Sequence, residues 1–312
     1  MCLPGVCKHG NVKVRVGYGL GVRTQLNDSG FLDVVDTLER LRFDSLWLSE
    51  RIGGEAPDPL VAMSMAAART TRLKLGMSVM VLPGRNPIVL AKELATLDRM
   101  SNGRLLPAFG LGVADPHEQQ AFGVERSQRA KMFNEALAVL RSCWMDESVT
   151  FHGTHYNYDN LRVLPKPLQQ PPEVWLGGIA ESELKRVGRM ADGWLPSFVT
   201  PEDATAGWKT VTDIAAENSR EIDPEHFGVL IPYTIGDPPP QLLAGLKARR
   251  PDLDDVSVLV PSSWHKLSHT IEQFIEVGAS KFVVIPFIEP GSVNEWNDHL
   301  EDAATHLMPL QN

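Results

Sequence analysis

The chain has little cysteine, no long apolar run and no concentration of basic charge, and each shortage removes a class of protein. Three cysteines stand in 312 residues: Cys2 and Cys7 near the start, and Cys143 in a segment with helical periodicity. Thiols so placed build neither a disulfide framework nor the paired spacing of a zinc module, which points to a reducing compartment. No uninterrupted apolar stretch approaches the ~18 residues of a membrane span. The opening MCLPGVCKHGN has neither an apolar signal core nor a small-residue cleavage site. Residues 1–11 are therefore expected to form a disordered tail, and the protein to stay in the cytoplasm. Lys and Arg number 30 against 39 Asp and Glu, a net charge of −9, and no basic cluster marks a track for a phosphate backbone. Nucleic acid is not an expected partner.

Familiar catalytic and metal-binding signatures are also missing. The nine histidines include no HxH or HExxH spacing. His152 and His155 lie three apart in a non-helical stretch, so no metal site is expected. Gly110-Leu111-Gly112 is not a dinucleotide fingerprint, because Asp115 stands where the third glycine would be. Ser78 in GMSVM lacks the GxSxG elbow and a recognisable base, which makes it a poor hydrolase nucleophile.

What the sequence does have is alternation. Strand-like runs at 12–21, 45–50, 73–82, 104–112, 174–178, 193–198, 227–235 and 281–287 are separated by helical periodicity at 28–42, 58–70, 87–100, 126–146, 181–191, 202–220 and 268–278. A last helix is expected at about 293–308. Eight strands with long crossovers predict a parallel α/β fold closed as a single (β/α)8 TIM barrel over 12–312. The unit spanning Leu75 to Val113 is the clearest. Asn86 and Pro87 suit the cap and first turn of a helix, Leu90, Ala91, Leu94 and Leu97 share a face, and Ser101-Asn102-Gly103 stops it. Two segments exceed ordinary connections and read as insertions at the barrel mouth. Residues 148–173 suggest a hairpin followed by an extended proline-rich run. Residues 236–267 read equally as a flap or as structural packing.

The ends of the parallel strands are where chemistry is expected. Glu50-Arg51 places a carboxylate and a guanidinium after the second strand, although the two could equally pair with each other. Gly177-Gly178, followed by Ile179-Ala180 at a helix start, offers backbone N–H groups to an anion, and such a turn is also the ordinary form of a tight connection. His117, after the fourth strand, is expected to pack within its loop. Trp47, Trp175 and Trp194 read first as core and second as an aromatic wall.

Three blocks, GRNPIVLAKELATLDRMSNGR, FHGTHYNYDNLRVLPKPLQQPPEVWLGG and the following ADGW, resemble the bacterial luciferase-like superfamily of flavin and deazaflavin oxidoreductases, over about 14–287. The segment is most similar to the mycobacterial-type branch that uses coenzyme F420, an 8-hydroxy-5-deazaflavin. The resemblance implies a non-proline cis peptide at Ser78-Val79 behind the cofactor ring. It implies Gly110, Leu111 and Gly112 beside the ring and its side chain, and Gly177, Gly178, Ile179 and Ala180 at the phosphate.

The implied reaction is hydride transfer between the deazaflavin and a small organic substrate, with Glu50 the candidate for proton handling. Arg51 can only clamp an anion or stabilise charge, because a guanidinium does not deprotonate near neutral pH. Deazaflavin sugar-phosphate dehydrogenases resembling this chain carry an acid followed by histidine at this strand end, where this chain has Glu50-Arg51, and a carboxylate where it has Val113. A substrate other than a sugar phosphate is expected. Two alternatives stay open: an FMN-dependent monooxygenase using reduced flavin and oxygen, and a non-catalytic flavin-binding protein. The expected partner is a small organic molecule, with a homodimer left open.

Overall fold

The computed structural model describes residues 12–312; the expected tail at 1–11, with Cys2 and Cys7, lies outside them. The chain alternates as expected. In order it forms β1 (Arg15–Leu20), α1 (Asp28–Arg40), β2 (Ser45–Leu48), α2 (Pro59–Arg69), β3 (Lys74–Met77), β4 (Met80–Val81), α3 (Pro87–Met100), β5 (Leu105–Leu106) and β6 (Ala108–Gly110). Then follow α4 (Pro116–Phe122), α5 (Arg129–Met145), β7 (Val149–His152), β8 (Asn157–Leu161), β9 (Trp175–Leu176), α6 (Glu181–Met190), β10 (Gly193–Trp194) and α7 (Pro201–Glu217). The chain ends with β11 (Gly228–Tyr233), α8 (Pro240–Arg249), α9 (Trp264–Glu276), β12 (Lys281–Pro286) and α10 (Val293–Leu307).

Two compact units divide these elements. One runs to Tyr18 and takes in Leu41–Asp44 and Gly177–Asn312; the other holds Gly19–Arg40 and Ser45–Leu176. In the second unit β2 pairs in parallel with β3 and β3 with β5, while β4 pairs with β6 and β6 with β9. In the first unit β12 lies in parallel between β1 and β11. The fold is thus α/β with parallel strands. Apolar side chains fill both units, and Trp47, Trp175 and Trp194 are core residues, fully or almost fully buried.

Two expected strands are interrupted. The run 73–82 divides at Ser78-Val79, where the peptide bond is cis. The run 104–112 divides at Pro107, which has no N–H for a ladder but whose carbonyl accepts from Trp175 N at 2.8 Å. The α3 unit follows its sequence signals closely. The Asn86 side chain accepts from the N–H groups of Ile88 and Val89, Pro87 takes the first turn, and Leu90, Ala91, Leu94 and Leu97 are buried. Asn102 and Gly103 then turn left-handed, with φ of 61° and 74°. Asp98 on the same helix is fully buried and accepts from Leu168 N, Gln169 N and Gln169 Nε2, at 2.6, 2.9 and 2.6 Å. It thereby ties down the proline-rich run.

The insertions differ from each other. The first contains the expected antiparallel hairpin β7–β8. The second is packed rather than loose: Leu242 and Leu246 of α8 join Val256, Leu259 and Val260 in an apolar cluster that also takes Phe198 and Phe287. Its buried Arg250 pairs with Asp203 at 2.8 Å and donates to the Phe198 carbonyl at 2.9 Å. No helix among the described residues is long and apolar enough to cross a membrane.

In the first unit, buried hydroxyls and an imidazole form a chain. Tyr18 Oη and Tyr233 Oη lie 2.8 Å apart, and Tyr233 Oη is 2.7 Å from His299 Nε2. Burial pushes the His299 imidazole down to about 4. Between pH 6.5 and 4 the unfolded chain therefore binds a proton that the folded chain does not, and stability falls as pH falls. His299 is expected to account for a loss on the order of 2 kcal/mol between pH 7 and pH 5. Urea unfolding at the two pH values should reveal this loss in the native protein but not in His299→Gln; the same pH dependence in both would contradict it.

Candidate active site

Glu50 lies two residues past the end of β2, and its side chain is only 3% exposed. One carboxylate oxygen forms an ion pair with Arg85, and the other accepts the N–H of Val81 at 2.7 Å. Burial pushes the Glu50 carboxyl above its ordinary value; the Arg85 guanidinium and the Val81 N–H oppose the rise, and Asp58 adds to it. Arg85 also donates Nε to the Val81 carbonyl at 2.8 Å and lies 5.6 Å from the centre of the Phe122 ring. The Tyr156 hydroxyl donates to the Arg85 carbonyl at 3.1 Å. Arg85 is the partner that sequence reasoning missed. The available signal was that a carboxylate carried into a strand end needs a cation, and Arg85 stands immediately before the α3 cap.

Glu50 and Arg51 do not pair with each other, contrary to one sequence expectation. Successive residues of extended chain point in opposite directions. Arg51 reaches α4 instead, with Nη2 3.0 Å from Asp115 and Nε 3.5 Å from Glu118. Glu118 is buried and also accepts from Ile52 N and Gly53 N, at 3.3 and 3.1 Å. This α4, capped by Asp115, was expected as loop, and His117 lies exposed on its first turn rather than packed.

The Ser78-Val79 bond lies between β3 and β4. Ser78 N donates to the Leu48 carbonyl at 2.8 Å, and Ser78 Oγ is buried without a hydrogen-bond partner. No base activates it. Gly110 leaves room for the Val79 side chain, which any Cβ at Gly110 would strike. Gly112, at φ +79°, lies where a Cβ would meet Val81 Cγ1 at 3.1 Å. Arg129 Nη1 holds the Gly112 carbonyl at 3.0 Å. Glu50, Ser78, Val79, Gly110, Leu111 and Gly112 thus all sit at or beside the ends of paired parallel strands in one unit.

The Gly177–Ala180 turn belongs to the other unit. Gly178 has φ +94°, and its carbonyl accepts Trp194 Nε1 at 2.9 Å. Ala180 caps α6 without a side-chain hydrogen bond. The N–H groups of Ile179 and Ala180 both donate to one carboxylate oxygen of Glu183, at 3.1 and 3.0 Å. A Cβ on Gly178 would come within 2.5 Å of that oxygen. The turn therefore has the donors for an anion, and Glu183 is a resident stand-in for one. Sequence reasoning saw the glycines but not this glutamate, three residues past the cap.

His152 Nε2 lies 3.3 Å from Asp159 on the exposed hairpin. His265 and His269, four apart on α9, form an HxxxH spacing that sequence reasoning passed over, and gain no third ligand among the described residues. Among the described residues no group of three His, Cys, Asp or Glu is placed to hold a metal ion. The Cys143 thiol is buried in α5, and burial pushes it up to about 11.

With this geometry in place, comparison with known proteins is informative. A family profile described as luciferase-like monooxygenase matches residues 20–266. The chain belongs to this family. An F420-dependent glucose-6-phosphate dehydrogenase of Kineococcus radiotolerans is 30% identical over 192 residues, covering 58% of this chain and 56% of that protein. A limonene 1,2-monooxygenase of Rhodococcus erythropolis is 29% identical over 200 residues, covering 62% and 51%. The matches thus span little more than half the length of these relatives. Among solved structures, an F420-dependent secondary alcohol dehydrogenase in complex with an F420-acetone adduct shares the fold, with a TM-score of 0.79 at 19% identity over 96% of this chain and 100% of that one.

Removing Arg85 leaves the Glu50 carboxylate buried without its cation, so Arg85→Ala is expected to cost about 3–5 kcal/mol at pH 8. The cost should shrink at pH 5, where the neutral carboxyl becomes accessible. Denaturant unfolding at both pH values checks this, and an equal loss at each would contradict the pairing.

Proposed function

We propose that the protein is a coenzyme F420-dependent oxidoreductase that moves a hydride between the deazaflavin and a small organic substrate. The observation that carries this reading is the strand end Gly110-Leu111-Gly112 in a chain of this family, where a Cβ on Gly110 would strike the Val79 side chain and one on Gly112 would meet Val81. Relatives named as F420-dependent dehydrogenases support the choice of cofactor. Ser78, Val79, Gly110, Leu111 and Gly112 are the residues proposed for the ring and its side chain. Gly177, Gly178, Ile179 and Ala180 are proposed, separately, for the phosphate. The bound deazaflavin would supply the hydride donor or acceptor. The reading carries with it the (β/α)8 barrel, with 12–312 as one domain.

Glu50 is the proposed proton-handling group. Its carboxyl is pushed up by burial, the direction that brings a carboxylic acid toward use near neutral pH. Arg51 is a weak clamp for an anionic substrate, since Asp115 and Glu118 already face its guanidinium. That charge balance, with Arg51 and Val113 at the positions noted above, favours a neutral substrate over a sugar phosphate. A second reading, an FMN-dependent monooxygenase, has the support of the limonene monooxygenase relative.

Fluorescence-quenching titration should give tight binding of F420 and weaker binding of FMN. Micromolar FMN affinity with no response to F420 would overturn the proposal in favour of the monooxygenase. Once a screen of alcohols, enones, imines and nitroaromatics yields a substrate, Glu50→Gln is expected to lower kcat by about 10²–10⁴-fold with cofactor affinity nearly unchanged. Turnover at the native rate would remove Glu50 from the chemistry.

A further inference from the structure

Isoleucine is ordinarily a core residue. Four are exposed among the described residues, Ile52, Ile179, Ile235 and Ile288, by 42–58%. Each stands two to four residues past the end of a parallel strand: β2, β9, β11 and β12 in turn. Ile235 and Ile288 are neighbours. β11 and β12 pair in parallel with Tyr233 opposite Pro286, and Phe287 N donates to the Tyr233 carbonyl at 2.8 Å. The two isoleucines therefore leave adjacent strands at the same level. The backbone fixes Ile235 on both sides, because Thr234 N donates to the Pro261 carbonyl at 3.0 Å and Gly236 N to the Ser262 carbonyl at 3.1 Å. Its exposure is built into the fold. The cations near the strand ends, by contrast, are committed: Arg51 to Asp115 and Glu118, Arg85 to Glu50, and Arg250 to Asp203 and Asp252.

We propose that the substrate is an uncharged molecule with an alkyl or alicyclic body, and that Ile235 and Ile288 are specificity-determining residues that hold that body. The proposal rests on the reading of the protein as an F420-dependent oxidoreductase, and narrows its substrate from neutral to apolar. Enzymes of this architecture bind their ligands at the carboxyl ends of parallel strands, so a side chain exposed there is placed to meet one. An isoleucine pair offers neither donor nor acceptor. A sugar hydroxyl pressed against it loses its hydrogen bonds to water without replacement, whereas a hydrocarbon gains by leaving water. The pair therefore discriminates against polyols as well as against phosphates.

The test measures dissociation constants of the methyl ketones butanone, hexanone and octanone by ligand-observed NMR, for the protein free and loaded with F420, with glucose 6-phosphate as the polar comparison. Complete burial of a CH2 group tightens binding about fourfold, and contact on one side is expected to give about twofold, or about fifteenfold from butanone to octanone. Ile235→Ser combined with Ile288→Ser is expected to remove most of this gradient and leave butanone nearly unchanged. Both side chains are exposed, so the double variant should fold, and either single variant serves if it does not. Val61→Ser, at a residue of α2 that is 62% exposed, should leave the gradient intact. A gradient that survives the double variant, or falls equally in Val61→Ser, would overturn the proposal. So would glucose 6-phosphate binding more tightly than octanone, or a native dimer that the double variant converts to a monomer, since a second copy would then cover the pair. Fluorescence quenching by F420 scores the parent reading separately. A protein that holds F420 without the gradient loses the apolar substrate and keeps its cofactor; one with the isoleucine-dependent gradient but no F420 binding keeps the apolar site and loses the cofactor.

Discussion

Backbone N–H groups at the ends of short strands and in connecting loops must find acceptors, and in this chain carboxylates supply them. Glu39 collects the N–H groups of Thr71, Arg72 and Leu73. Asp98 takes Leu168 and Gln169, Glu118 takes Ile52 and Gly53, and Glu135 takes Thr154, His155 and Tyr156. Glu50 and Glu183 do the same at Val81 and at the α6 turn. Hydrogen bonds to a charged acceptor are worth about 1.5–3 kcal/mol each, and an unpaired buried donor forfeits a similar amount. Burial alone would raise the Glu39 and Glu135 carboxyls, yet the gathered N–H groups hold both below the ordinary value. Most of these acids join segments far apart in sequence. Strands of two to six residues are held in place by such ties as well as by their ladders.

The same constraint shapes the candidate site. Glu50 is no free surface acid: Arg85 and Val81 occupy both of its oxygens, and the pair joins the end of β2 to β4. Arg51 is likewise committed, drawing α4 toward the loop after β2. Besides these committed charges, the strand ends of this unit present largely backbone and small side chain, at Ser78-Val79 and Gly110-Leu111-Gly112.

Much of this was legible in the sequence, for physical reasons that can be named. The α3 helix has a cap, a first-turn proline, an apolar face and a left-handed stop, all local signals, and each appears where the residues place it. The parallel strands were legible because both faces are buried and so are apolar on successive residues. The split of two strands was less visible: Pro107 gives a local reason for one, whereas the cis bond at Ser78-Val79 came only from family resemblance. The helix at 116–122 was missed although Asp115 and Pro116 are ordinary start signals, because the following residues lack a long apolar face. Long-range partners were the least accessible. Nothing near Glu50 in sequence names Arg85, and nothing in a glycine pair says that a glutamate further on will fill the turn they open.

The central claim is that the start of α6 exchanges its own carboxylate for a cofactor phosphate. A crystal structure with F420 bound tests it most directly. The account predicts phosphate oxygens on the N–H groups of Ile179 and Ala180, with the Glu183 side chain turned away from both. A bound cofactor whose phosphate lies elsewhere, with Glu183 still holding the two N–H groups, would contradict it.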